Sequence, residues 1–183
     1  PLIMSMAAVA RARLVYKGGA DRFEQVKMAQ QLAERALNLA PNRCEPYYAL
    51  GIVYYLMSEQ ERGIEMLQRA LELSNSYPEA HDLLGRIYLD KGPIELAVEH
   101  FQSALMLDPG MFNARFDLAR GYALQRDWGR VGGMLVTVED NTIDTQLGSL
   151  LWLRFAMWRR AADEHIHVTA PEPVDDISTM TVL

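Results

Sequence analysis

The stretches YYALGIVYYL (residues 47–56), HDLLGRIYLD (81–90) and RFDLARGYAL (115–124) are copies of one pattern set 34 residues apart. At that lag Leu50, Leu84 and Leu118 coincide, Tyr54, Tyr88 and Tyr122 coincide, and Gly51 and Gly85 fall on Ala119. Downstream, Leu67 meets Phe101 and Leu135, and Ala70 meets Ala104 and Val138. A degenerate earlier copy ends in AERALNLAP, with Ala29, Ala33, Ala36 and Pro41 at matching positions. Self-similarity at such a period marks stacked supersecondary units, each too small to bury its apolar face alone.

Each unit reads as two helices. Leu50, Val53, Tyr54 and Met57, then Ile64, Leu67 and Leu71, recur at helical spacing. Ser58 with Glu61 predicts a capping box at the start of one second helix. Pro93, after Lys91-Gly92, sits where a first turn tolerates a missing N–H, and Pro109-Gly110 closes a unit after Asp108. The small residue at Gly51, Gly85 or Ala119 lets the paired helix approach closely. Gly63 and Ala97 supply a small residue twelve positions on, where Val131 breaks the pattern.

This pattern resembles the tetratricopeptide-repeat (TPR) family over about residues 10–140, with three good copies and one weak one. The motif positions are Leu50-Gly51-Tyr54, Leu84-Gly85-Tyr88 and Leu118-Ala119-Tyr122, with Ala97, Phe101, Ala104 and Pro109 in the best copy. The resemblance implies an all-α, right-handed superhelical solenoid of antiparallel helix pairs. Units are expected near 10–43, 44–77, 78–111 and 112–142. The first lacks the glycine and aromatic of its first helix and carries Lys17-Gly18-Gly19 there. The last holds Gly132-Gly133 inside its second helix, at about 1 kcal/mol each against alanine. Residues 143–166 read as a capping helix, capped by Thr142 and carrying Leu147, Leu150, Leu151, Trp152, Phe155 and Trp158. Residues 167–183 read as an extended acidic tail.

The composition is that of a folded chain: of 183 residues, 50% are hydrophobic and 23% charged. A net charge of −6 argues against a general nucleic-acid binder, which needs a basic footprint. The charge is uneven. Residues 39–108 hold five basic and eleven acidic side chains, so the middle of the chain is its acidic part. A single cysteine, Cys44, rules out an intrachain disulfide framework. No apolar run is long enough to span a membrane and no signal-peptide pattern opens the chain, so a cytoplasmic location is expected.

The resemblance implies a concave groove lined by the first helix of each repeat. By repeat position its candidates are Tyr48, Ile52 and Tyr55, then Asp82, Arg86 and Leu89, then Phe116 and Arg120. Arg86 and Arg120 are 34 apart and project from equivalent positions of adjacent repeats, so the pair suits a carboxylate of an extended or helical peptide. The bland alternative pairs the arginines with Asp82 and Asp117. TPR co-chaperones clamp the acidic C-termini of heat-shock chaperones with lysines, asparagines and an arginine. Helix 44–57 contains no Lys, Arg or Asn, so that subtype is not expected. The tail, with Glu172, Asp175 and Asp176 before Ile177, Met180, Val182 and Leu183, is a further candidate occupant of the groove.

Catalysis, cofactors and metals find little support. His81, His100, His165 and His167 form no ligand pattern, Cys44 lacks a sequence-evident base, and neither glycine pair has the company of a phosphate loop. The expected function is a non-catalytic scaffold or adaptor for a protein or peptide partner. The alternatives are a self-assembling or secretion chaperone module, possible as a homo-oligomer, and a regulatory segment of a larger signalling enzyme.

Overall fold

The computed structural model describes residues 1–16 and 21–139, the side chains of Tyr16 and of 135–139 excepted. The expected capping helix, its Thr142 cap, the tail, His165, His167 and Lys17-Gly18-Gly19 lie outside the described residues. Among the described residues there are eight helices and no strand: α1 Leu2–Tyr16, α2 Arg22–Leu39, α3 Cys44–Leu56, α4 Gln60–Leu73, α5 Pro78–Lys91, α6 Ile94–Leu107, α7 Phe112–Leu124 and α8 Trp128–Glu139. One compact unit covers Pro1–Gly121, and a second begins at Tyr122. In the first unit α1 pairs with α2, α3 with α4 and α5 with α6, while α3 also packs on α1, α2 and α5.

The 34-residue lag is kept to the residue by the starts of α3, α5 and α7 (44, 78, 112) and of α4, α6 and α8 (60, 94, 128). It is kept too by the buried faces of the second helices. Ala33, Leu67 and Phe101 are fully buried, as are Ala36, Ala70 and Ala104. The helix α1 departs from this register. It ends at Tyr16, upstream of the position the lag assigns, and buries a stripe of small residues, Ser5, Ala8 and Ala12. These recur every three to four residues, the spacing of one helical face.

Small residues set the distance within a pair. A Cβ on Gly51 would lie 2.6 Å from Leu67 Cγ, and one on Gly85 would lie 2.6 Å from Phe101 Cε1. Gly63 meets the same contact from the other side, 3.5 Å from the Gly51 carbonyl oxygen at its Cβ position. The glycine motif is thus a seat for a large apolar side chain sixteen residues on.

The turns inside the pairs share a conformation. Ser58 (φ 62°), Gly92 (φ 113°) and Arg126 (φ 60°) occupy equivalent repeat positions, and all three are left-handed. In two of these turns the next N–H reaches back to close the helix: Glu59 donates to the Tyr54 carbonyl at 2.9 Å and Asp127 to that of Tyr122 at 2.9 Å. Pro93 has no N–H to give, and there Gly92 itself donates to the Tyr88 carbonyl at 2.9 Å. The expected capping box at Ser58 does not form. Ser58 is consumed by the left-handed turn, α4 starts two residues later behind Glu59, and Glu61 pairs with Lys91 instead. A side-chain cap is present at α8, where Asp127 Oδ1 accepts from the Arg130 N–H at 3.1 Å.

Candidate functional site

The first helices α3, α5 and α7 carry every groove candidate named from sequence. Three uncharged ones, Tyr48, Ile52 and Leu89, are buried, each 6% exposed, and so is Asp82. The Tyr48 ring lies 4.9 Å from that of Tyr77. Burial pushes the Tyr48 hydroxyl up to about 12, with Arg13 of α1 acting against it. These three form the floor beneath the face, while Tyr55, Arg86, Phe116 and Arg120 are partly exposed above it. The Tyr55 hydroxyl donates to Asp90 Oδ2 at 3.1 Å, tying α3 to α5.

The centre of the face is a three-residue charge group. Arg86 Nη2 lies 2.8 Å from Asp82 Oδ2 on its own helix, and Arg86 Nε lies 3.3 Å from Asp117 Oδ2 on α7. The second approach is a charge contact without hydrogen-bond alignment, since the buried Nε finds no acceptor in line. Asp82 is 8% exposed, and its other oxygen, Oδ1, is buried without a hydrogen-bond partner among the described residues. Burial raises the Asp82 carboxyl to about 6. The Arg86 guanidinium opposes this rise, and Asp117 and Glu79 add to it. Burial likewise raises Asp117, against the pull of Arg86 and Arg120. The structure therefore brings Asp82 and Arg86 together and adds Asp117 to them, while Arg120 reaches the group through its charge on Asp117.

A second buried polar group lies on the α5–α6 hairpin. His81 and His100 face each other with their Nδ1 atoms 3.0 Å apart. His81 Nε2 lies 3.4 Å from the Asn75 carbonyl oxygen, and the Tyr88 ring stacks on His100 at 5.5 Å. If His81 donates from Nε2 to Asn75, its Nδ1 is left to accept from His100, and both rings are neutral. Desolvation favours that state, lowering His81 and taking His100 down to about 4. Sequence reading missed this pair. The register that sets Gly85 against Phe101 does not set residue 81 opposite residue 100, so spacing alone carried no signal for the pair.

Among the described residues no three His, Cys, Asp or Glu side chains converge as a metal site, and no helix is long and apolar enough to cross a membrane. Cys44 is half-buried, and burial raises its thiol. What the first-helix face offers is the partly exposed rings of Tyr55 and Phe116 beside the fixed charges of Asp82, Arg86 and Asp117.

Comparisons with known proteins agree with the helical-repeat fold. The family model described as tetratricopeptide repeat protein 21 second ARM domain matches residues 16–92, and the model described as tetratricopeptide repeat matches residues 78–111. No curated protein matches the chain. Among solved structures, YrrB, described as a TPR protein with an unusual peptide-binding site, is 26% identical with a TM-score of 0.58, the match covering 68% of this chain and 64% of YrrB. The second TPR domain of human RPAP3, solved with the HSP70 peptide SGPTIEEVD, is 18% identical with a TM-score of 0.52, over 65% of this chain and 95% of that one. The first TPR of Spaghetti (RPAP3), bound to the HSP90 peptide SRMEEVD, is 18% identical with a TM-score of 0.54, over 67% and 95%. The repeat motifs, the helix pairs built on them and these matches together establish that the chain belongs to the tetratricopeptide-repeat family, its repeats running through residues 16–111.

Proposed function

We propose that the protein is a non-catalytic, cytoplasmic interaction scaffold that holds a peptide or helix of a partner protein along the groove formed by α3, α5 and α7. The observation that carries this reading is the group on those helices: Tyr55, Arg86, Phe116 and Arg120, partly exposed, around the Asp82–Arg86–Asp117 charge group. An apolar surface with a few fixed charges gives both affinity and register to an extended or helical segment. The peptide complexes of the RPAP3 domains and the peptide-binding site of YrrB support it by analogy of fold. The test is binding of peptides selected on the full chain, repeated with Tyr55→Ala and Phe116→Ala. Loss of binding with an unchanged helical spectrum supports the groove; unchanged affinity moves the site elsewhere.

Self-assembly is a second reading, favoured by α1. Leu2, Ile3 and Met6 are 44%, 81% and 62% exposed on its first two turns, an apolar surface that suits a second copy. Light scattering across a concentration series decides this, since a self-assembling chain gains mass with concentration and a monomer does not.

A further inference from the structure

The charge group at the centre of the first-helix face has the opposite polarity from the one its two arginines suggest. Arg86 is engaged by Asp82 on one side and approaches Asp117 on the other, its Nε left without an aligned acceptor. With Arg120 counted beside Arg86, and Glu79 and Asp90 beside Asp82 and Asp117, four carboxylates face two guanidiniums. Asp82 Oδ1 is an acceptor buried without a partner among the described residues, an arrangement a hydrogen-bond donor would relieve. Around the group, Glu79 on α5 adds negative charge, and Arg120 on α7 adds positive charge against Asp117. From α3, Tyr48 faces the group as a buried neutral phenol, and Arg13 of α1 lies near that hydroxyl. The wider field points the same way: residues 39–108, which contain α3 to α6, hold eleven acidic side chains against five basic ones.

We propose that the segment bound on this face is cationic at its centre, a Lys or Arg side chain seated against the Asp82–Asp117 carboxylate pair. The proposal rests on the groove reading and names the chemistry of its ligand. Access is over Asp117, whose side chain is 18% exposed, beside Arg86 at 29%. A long cationic side chain can lay its aliphatic stem on Phe116, the neighbour of Asp117 in the chain, and bring its head to the accessible edge of the Asp117 carboxylate. The RPAP3 domains hold peptides that end in acidic residues. This face, with no Lys, Arg or Asn on α3, is built for the reverse polarity.

The test is display selection of random short peptides on the immobilised full chain, followed by affinity measurements on the winners. Enrichment of Lys and Arg, with at least about tenfold weaker binding to Asp117→Asn and to Asp82→Asn, is the result expected. Two variants are used because Asp82 is buried and its replacement can disturb folding, whereas Asp117 is more accessible. Enrichment of Asp and Glu, or indifference of basic peptides to both variants, overturns the cationic ligand. The groove reading survives that outcome if Tyr55→Ala or Phe116→Ala still abolishes binding. Selected peptides that ignore all four variants, or no selected peptide at all, overturn the groove reading and this proposal with it.

Discussion

Three residues at one repeat position, Ser58, Gly92 and Arg126, hold the left-handed backbone that glycine adopts at least cost. Gly92→Ala is therefore expected to destabilise the chain by about 1 kcal/mol, and Ser58→Gly to stabilise it by a similar amount. Urea unfolding of the two variants checks both signs; matching shifts in one direction would contradict the assignment. Gly85 is a different case, since its backbone is ordinary and the constraint is space. An alanine Cβ there would fall 2.6 Å from the ring of fully buried Phe101. Gly85→Ala is expected to cost about 1–3 kcal/mol, read as a lower melting temperature. Both glycines stand out in the sequence, but only the structure separates a turn requirement from a packing one. The glycine pattern alone also cannot show that Ser58 does a turn's work in place of capping a helix.

At the scale of the element, the α5–α6 hairpin carries the clearest pH dependence. His100 and His81 both titrate lower in the folded chain than in the unfolded one, because burial disfavours the imidazolium. The unfolded chain thus takes up protons first. The stability these rings contribute is present above pH 6.5 and is lost as pH falls from there toward about 4, the folded value of His100. Asp82 has the opposite sign. Its carboxyl is raised from 3.8 to about 6, so the folded chain binds that proton first, and acidification through this window stabilises it. His100→Gln is expected to reduce the acid sensitivity of the melting temperature between pH 6.5 and pH 4, and Asp82→Asn to increase it. Equal pH profiles for the wild type and both variants would contradict these linkages. The elements themselves were legible in the sequence because α3 to α8 obey one lag and bury equivalent residues. Helix α1 was not, since it lies off that register and its buried stripe is made of Ser5, Ala8 and Ala12, residues too small to give a strong apolar period.

At the scale of the whole molecule, repeat periodicity decides which helices share a face, and that much follows from spacing. Tyr48, Ile52, Tyr55, Asp82, Arg86, Leu89, Phe116 and Arg120 do share the first helices α3, α5 and α7. Spacing does not decide depth or charge pairing. Tyr48, Ile52 and Leu89 sink into the floor, and Arg86 turns toward Asp82 and Asp117 because both lie within reach. The proposed groove places the partner on the first-helix face. Hydrogen exchange of the full chain, with and without a selected peptide, tests it most directly. Protection gathered on residues of α3, α5 and α7 is the expected result; protection confined to α2, α4 and α6, with the first helices unchanged, would contradict it.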